Sequence, residues 1–473
     1  MNFTSRAFLI FLPIVLAVYH LLPTRTTKFR FLLAASWLFY MSWNPWFLWV
    51  IVATSIVDYL AGIGIEDAAS PGRRRAWLIF GVVVNLGFLA TFKYTDFVGQ
   101  SATELLQALG WPAPDWTARM ILPLGISFHT FQGIGYTLDV HRGRIQAVRS
   151  FADFALFVSF FPQLVAGPIV RATEFLPQMV SPPPVRTRQI AEGLHWFLLG
   201  MCKKLVFADR LAEFVDPIFA HPELYDAFTL RWAVVAYAAQ IYCDFSGYSD
   251  LAIGMAKWFG FELPINFNYP YLAGSIAEFW RRWHVTLGRW MRDYLYVALG
   301  GSRHGSFRTA FNLLLIMMLS GLWHGASWNY VAWGLYNGVL LVVHRVWDQA
   351  LTGRAWADAI RSSALYRATA IATTFWLFCV GMIWLHAHDW AGCYRLQAAF
   401  LGFHPDGARY LPAWVPLLVA LVAAGHLASG LRNLRCSLLY LPAPARAAAY
   451  VVLVVLVVVC SPIQTKPFVY FQF

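Results

Sequence analysis

Two histidines with tryptophan neighbours are the strongest candidates for chemistry in this chain. His284 closes the run Glu278-Phe279-Trp280-Arg281-Arg282-Trp283-His284, and His324 lies in Gly321-Leu322-Trp323-His324-Gly325. His324 falls within an apolar stretch, where an ionisable group is costly enough to be a functional candidate by default. Imidazole titrates near neutrality and can take a proton from a hydroxyl at working pH. Burial favours its neutral, basic form, and a dry site limits hydrolysis of a reactive thioester. These properties suit acyl transfer from an activated ester to an alcohol. His284, 40 residues upstream (324 − 284), could orient His324, hold the acceptor or polarise the acyl carbonyl. Taken alone it reads equally well as a core histidine on the apolar face of an amphipathic helix.

The residues around the pair extend both readings. Gly321 and Gly325 stand at a GxxxG spacing that Gly334 and Gly338 repeat. Such small residues admit either a substrate or a closely packed helix. The segment 276–296 predicts one amphipathic helix, with Arg281, Arg282, Arg289 and Arg292 inside an arc of roughly 100°. Trp280, Trp283, Leu287, Met291 and Tyr294 fall opposite, with His284 among them. Arg281 and Arg282 suit phosphate groups of an acyl carrier or lipid headgroups, and Asp293 can pair with the arginines. Asp244 and Asp250, in Tyr242-Cys243-Asp244-Phe245-Ser246-Gly247-Tyr248-Ser249-Asp250, imply a polar cavity or a buried network that pairs the arginines of 281–292.

Lipid must solvate the elements that carry these residues. The chain has 473 residues, of which 59% are hydrophobic and only 13% charged, with mean hydropathy +0.54. A soluble protein carries about a quarter charged residues. Apolar spans are expected near 7–22, 31–43, 46–65, 77–97, 120–138, 190–207, 230–256, 309–325, 328–347, 368–385, 411–430 and 447–463, with 151–170 and 272–298 re-entrant or interfacial. The fold expected is an all-α polytopic integral membrane protein, one domain over 1–473, with roughly ten to thirteen membrane or re-entrant helices. Its motif-rich region is 240–340. More polar connections are expected at 349–365 and 388–410.

The net charge of +12 does not point to nucleic acid, because the basic residues concentrate in short connections between spans. Arg73, Arg74 and Arg75 are one such group; Arg142, Arg144 and Arg149 are another. Positive loops mark the cytoplasmic side, which predicts that both termini face outward. The first span lacks a following small-residue cleavage site and reads as mature structure. Cys202, Cys243, Cys379, Cys393, Cys436 and Cys460 have no metal-ligand spacing and read as buried free thiols, so no metal is expected. No internal repeat is visible. The tail 464–473, Gln464-Thr465-Lys466-Pro467-Phe468-Val469-Tyr470-Phe471-Gln472-Phe473, is too aromatic for a free terminus. It is expected to dock in a groove, either as a plug or to present Tyr470.

In order and spacing, the motifs resemble those of the membrane-bound O-acyltransferase (MBOAT) family, in its bacterial alginate O-acetyltransferase branch. They run from Ser42-Trp43-Asn44-Pro45 through Leu122-Pro123-Leu124-Gly125 and Phe160-Phe161-Pro162-Gln163-Leu164-Val165-Ala166-Gly167-Pro168 to Asp244–Asp250. Asn266-Phe267-Asn268-Tyr269-Pro270, Phe279–His284, Arg292-Asp293-Tyr294-Leu295-Tyr296, Trp323-His324-Gly325 and Tyr470-Phe471-Gln472-Phe473 complete the set. His129 and Val170 depart from the pattern. The resemblance implies His324 as catalytic histidine and His284 as its partner. Trp323, Gly325, Arg281, Arg282, Trp283, Asp293, Asp244, Asp250 and Asn268 would support or bind substrate, and Tyr470 would be an acyl relay.

The resemblance further implies a ring of helices around a central funnel or tunnel in the bacterial inner membrane. Acetyl-CoA would be the donor, with no tightly bound cofactor. A polysaccharide, alginate-like exopolysaccharide or peptidoglycan, would be the acceptor, and a periplasmic acetyl-transferring protein the partner. D-alanyl transfer to teichoic acid is the enzymatic alternative. A polysaccharide-precursor transporter or flippase is the alternative of another class.

Overall fold

The computed structural model describes residues 1–113, 116–181, 185–387, 389–432 (backbone only at 431 and 432), 438–462 and 466–468. Among them there is no strand; the single isolated β-bridge joins Tyr225 and Ala408. The apolar runs become helices because a chain without water must satisfy its backbone internally. Among the described residues, five helical stretches are long and apolar enough to cross a membrane: Pro45–Glu66, Pro71–Ala108, Gly305–His324, Ala364–His386 and Ala443–Cys460. Two shorter apolar helices are Arg6–Leu21 and Trp414–Gly430. The chain is an all-helical, multi-pass membrane protein.

It divides into two compact units, Met1–Gly193 with Ala252–Pro264, and Leu194–Leu251 with Ile265–Phe473. The first contains α1 (Arg6–Leu21), α2 (Arg25–Met41), α3 (Leu48–Glu66), α4 (Pro71–Leu89), α5 (Thr95–Ala108), α6 (Ile126–His141), α7 (Phe151–Ser159) and α8 (Ala172–Val180). Serine and threonine caps start several of them; Thr24 forms a capping box at α2, and the Ser70 and Ser150 side chains accept from the first turns of α4 and α7, which satisfies otherwise orphaned N–H groups. α3 packs on α4 and α6. Between them Asp58, 2% exposed, accepts a hydrogen bond from Asn85 Nδ2 at 2.7 Å. Phenylalanine fills the rest: Phe175 stacks on Phe261 with centroids 4.8 Å apart, and Phe160 lies 5.3 Å from Phe261. The segment after 150 forms only the nine-residue α7 before turning, too short to span about 30 Å of hydrocarbon.

The second unit carries the candidate site residues. α9 (Thr187–Cys202), whose first residues belong to the first unit, continues through a π-helical turn, Lys203–Ala208, into α10 (Asp209–Ala220), and the 32-residue α11 (Ala227–Trp258) follows, with its residues from Ala252 onward in the first unit. Next come α12 (Ile276–Arg282), α13 (Val285–Trp290), a π-turn Met291–Tyr296, α14 (Gly305–His324), α15 (Trp328–Leu351), α16 (Ala355–Arg361), α17 (Ala364–His386), α18 (Trp390–Leu401), α19 (Trp414–Arg432) and α20 (Ala443–Cys460). The expected connection at 388–410 contains α18. This helix packs on α17 and buries Cys393, Leu396 and Ala399, a helical spacing that its polar neighbours disguise.

The two GxxxG pairs explain the tightest helix contact. A Cβ on Gly321 would collide with the Tyr330 carbonyl. One on Gly334 would strike the Met317 carbonyl and come within 2.9 Å of Met318 Cα, and one on Gly338 within 3.1 Å of Leu314 Cα. The glycines therefore let the α14 and α15 backbones touch, the packing alternative that the spacing allowed. Because the obstacle at Gly334 is backbone, Gly334→Ala should destabilise the protein by about 1–3 kcal/mol through overpacking. A lowered melting temperature in detergent is the check, with Gly72→Ala, which has open space, as the control.

Candidate active site

His324 is the last residue of α14, and Gly325 leaves the helix in an extended conformation. The backbone-tight α14–α15 hairpin thus fixes the position of a half-buried imidazole. Trp323 lies edge-on to it at 4.9 Å between centroids, and Trp333, reaching from α15, at 5.2 Å. The His284 ring is 6.2 Å away. The two histidines, 40 positions apart in the chain (324 − 284), therefore meet, each also touching Trp323.

The segment around His284 is not one amphipathic helix. α12 ends at Arg282, Trp283 is extended, and His284 adopts a left-handed conformation with φ 44° before α13 begins. Left-handed backbone is unusual for a residue with a Cβ and persists only when its surroundings enforce it. Here an extended neighbour does so: the Asn268 N–H donates to the Arg282 carbonyl at 2.8 Å, and the Val285 N–H to the Asn266 carbonyl at 2.9 Å. The inward and outward faces nevertheless follow the expected pattern. Trp283, Leu287, Met291 and Tyr294 are buried, while Arg281, Arg289 and Arg292 are exposed.

His284 is 2% exposed and faces Phe245 edge-on at 4.8 Å. Its Nδ1 lies 3.1 Å from Asn266 Oδ1. Its segment of short helices does not span the membrane. Burial, and after it the neighbouring His324, holds its pKa well below the ordinary imidazole value.

Both histidines line a cavity of about 500 Å³, within the range of about 300–1,000 Å³ typical of small-molecule sites. Trp280, Trp283 and Ser320 contribute to its wall, as do Arg281, Arg289 and Arg292. The candidates differ in how committed they are. Arg282 is held by Glu278 at 2.6 Å, and Arg292 by Asp293 at 2.6 Å. Gly325 lies against the Tyr330 ring. Asn268 is exposed and acts through its backbone. Tyr470 lies outside the described residues, as does Cys436.

Asp244 and Asp250 do not pair the arginines of 281–292. Asp244 Oδ1 is 2.5 Å from Lys204 Nζ, which also meets Asp209 at 2.9 Å, and Asp250 is 2.6 Å from Lys203. The physical reason is the π-turn at 203–208, which carries both lysines opposite α11; the arginines instead face outward. Lys204, Asp209 and Asp244 are each about 2% exposed or less. The described part of the tail, residues 466–468, lies against this triad. Lys204 donates to the Pro467 carbonyl at 3.3 Å and sits 4.3 Å over the Phe468 ring, which is 1% exposed. Lys466 pairs with Asp216.

Six residues of these networks were given no individual role from the sequence: Asn266, Thr286, Lys203, Lys204, Asp209 and Asp216. A signal existed for Asn266 and for the lysines. Asn266 shares a motif with Asn268. The lysines interrupt an otherwise apolar run.

Comparison with known proteins follows the same lines. The MBOAT, membrane-bound O-acyltransferase family, matches residues 145–386, which include both histidines. The probable alginate O-acetylase AlgI of Azotobacter vinelandii is 40% identical over 408 residues, 85% of this chain and 78% of that protein. The peptidoglycan O-acetyltransferase of Helicobacter pylori is 38% identical over 370 residues, 72% of this chain and 69% of that protein. More distantly, the teichoic acid D-alanyltransferase of Streptococcus thermophilus is 29% identical over 250 residues, 50% of this chain and 60% of that protein.

Proposed function

Because the chain belongs to the membrane-bound O-acyltransferase family, we propose that this O-acyltransferase moves acetyl groups onto hydroxyls of an alginate-like exopolysaccharide or of peptidoglycan. The observation that carries the reading is the His284–His324 pair in one cavity. The names of the relatives favour acetyl as the group and a polysaccharide as the acceptor.

In this reading the protein sits in the bacterial inner membrane and takes acetyl from a cytoplasmic thioester, acetyl-CoA. Arg281, Arg289 and Arg292 at the cavity wall suit the phosphate groups of such a donor. His324 removes the proton from the attacking hydroxyl as its oxygen bonds to the acyl carbon. The carbon–sulfur bond breaks, the thiolate departs with the electron pair, and the proton returns to it from the histidines. A dry cavity protects the thioester from water. A separate periplasmic protein, or Tyr470 of the tail, receives the acetyl group on its way to the sugar.

Ester analysis of envelope polysaccharides tests this. A strain lacking the protein should lose acetyl esters from one polysaccharide and regain them on complementation. Loss of D-alanyl esters instead would replace acetyl with D-alanyl transfer, and an unchanged ester content would reject both.

A further inference from the structure

The hydrogen bonds beneath His284 determine which of its nitrogens carries the proton. Asn266 is 1% exposed, and its Oδ1 lies 3.2 Å from the backbone N of Thr286 and 2.9 Å from Thr286 Oγ1. A backbone N–H can only donate. The amide atom facing it must therefore be oxygen, which removes the usual ambiguity of an asparagine side chain. The other end of the amide, Nδ2, donates to Ser249 Oγ at 3.4 Å. With oxygen fixed in place, the contact at 3.1 Å to His284 Nδ1 requires a proton on Nδ1. A neutral imidazole then carries its lone pair on Nε2.

We propose that Asn266 is a positioning residue that locks His284 in the Nδ1–H tautomer, making Nε2 the proton-accepting nitrogen of the histidine pair. This inference rests on the acyl-transfer reading above and adds the residue that sets the state of its second histidine. The same segment supplies the backbone hydrogen bond to Val285 that holds His284 in its left-handed conformation, so ring and backbone are fixed together. To the surroundings of the ring α11 contributes the uncharged Phe245 and, through Asn266, Ser249; α14 contributes His324. The arginines 281, 289 and 292 line the shared cavity.

Three variants in the full chain, reconstituted in liposomes, test the assignment. Asn266→Ala frees the ring to exchange tautomers, and kcat should fall on the order of 10²-fold with KM for the thioester nearly unchanged. Asn266→Asp restores an acceptor oxygen and should recover most of kcat. Its carboxylate favours the imidazolium, so the acidic limb of the kcat profile should move to higher pH. A wild-type limb in Asn266→Asp would mean that the residue at 266 does not contact the ring in the working enzyme, and that result would overturn the proposal. Wild-type kcat in Asn266→Ala would overturn it too.

Nitrogen-15 spectra of histidine-labelled protein, with His284→Gln to assign the signal, supply a readout that needs no turnover. His284 should show a protonated Nδ1 and an unprotonated Nε2, and Asn266→Ala should mix the two. The reverse tautomer in wild type would reject the inference even in an active enzyme. An inactive wild type with the expected spectrum would instead sink the acyl-transfer reading alone.

Discussion

His324→Ala should lower acetyl transfer by roughly 10²–10⁴-fold, the range for removing a general base, while the protein still folds. The expectation of folding comes from the position of the side chain. His324 is half-buried at the end of α14 and projects beside a cavity, whereas the α14–α15 contact depends on glycines and backbone. Turnover of labelled acetyl thioester in liposomes, with the melting temperature of the same preparation, separates chemistry from stability. The aromatic wall of Trp323 and Trp333 should remain, so substrate affinity should change little. A variant retaining most activity would remove His324 from the mechanism.

The largest effect on stability is expected from Lys204→Met. Its ammonium, 1% exposed, lies between Asp209 and Asp244. Methionine leaves two buried carboxylates facing each other without the ammonium that lay between them. Breaking a buried ion pair from one side typically costs about 3–5 kcal/mol, and here the tail contacts through Pro467 and Phe468 are lost as well. The variant should melt far below wild type or fail to accumulate. Adding Asp244→Asn removes one stranded charge and should restore part of the loss. If Lys204→Met melts like wild type, the triad does not hold this unit together.

Hydropathy was a good guide to the helices because lipid imposes one simple rule on backbone groups. α3, α4, α14, α17 and α20 fall where apolar runs of spanning length were expected, and α7 and α12–α13 prove too short to span. The glycine spacing correctly marked α14 and α15 as a contact surface. Periodicity failed at 276–296 for a specific reason. The stop at Trp283 and the left-handed turn at His284 are imposed by residues 266–268, and a window along one helix contains no trace of a partner many residues earlier.

The ion pairs of α11 escaped for a similar reason. Adjacent lysines on a regular helix point about 100° apart, and a π-turn changes which of them face inward. Asp244 and Asp250 were visible as costly buried charges, but their partners were decided by that local irregularity. The meeting of His284 and His324 was anticipated through the motif set; the spacing of 40 residues alone did not require it. Asn266 became visible only when its hydrogen bonds could be followed.

The central claim is that acyl transfer occurs at the paired histidines. Its most direct test is to give purified protein in liposomes acetyl-CoA labelled in the acetyl group, together with a hydroxyl acceptor on the opposite face. The account predicts labelled ester on the acceptor from wild type, and from His324→Ala and His284→Ala almost none. Movement of saccharide without new ester, or equal labelling by the histidine variants, would contradict it.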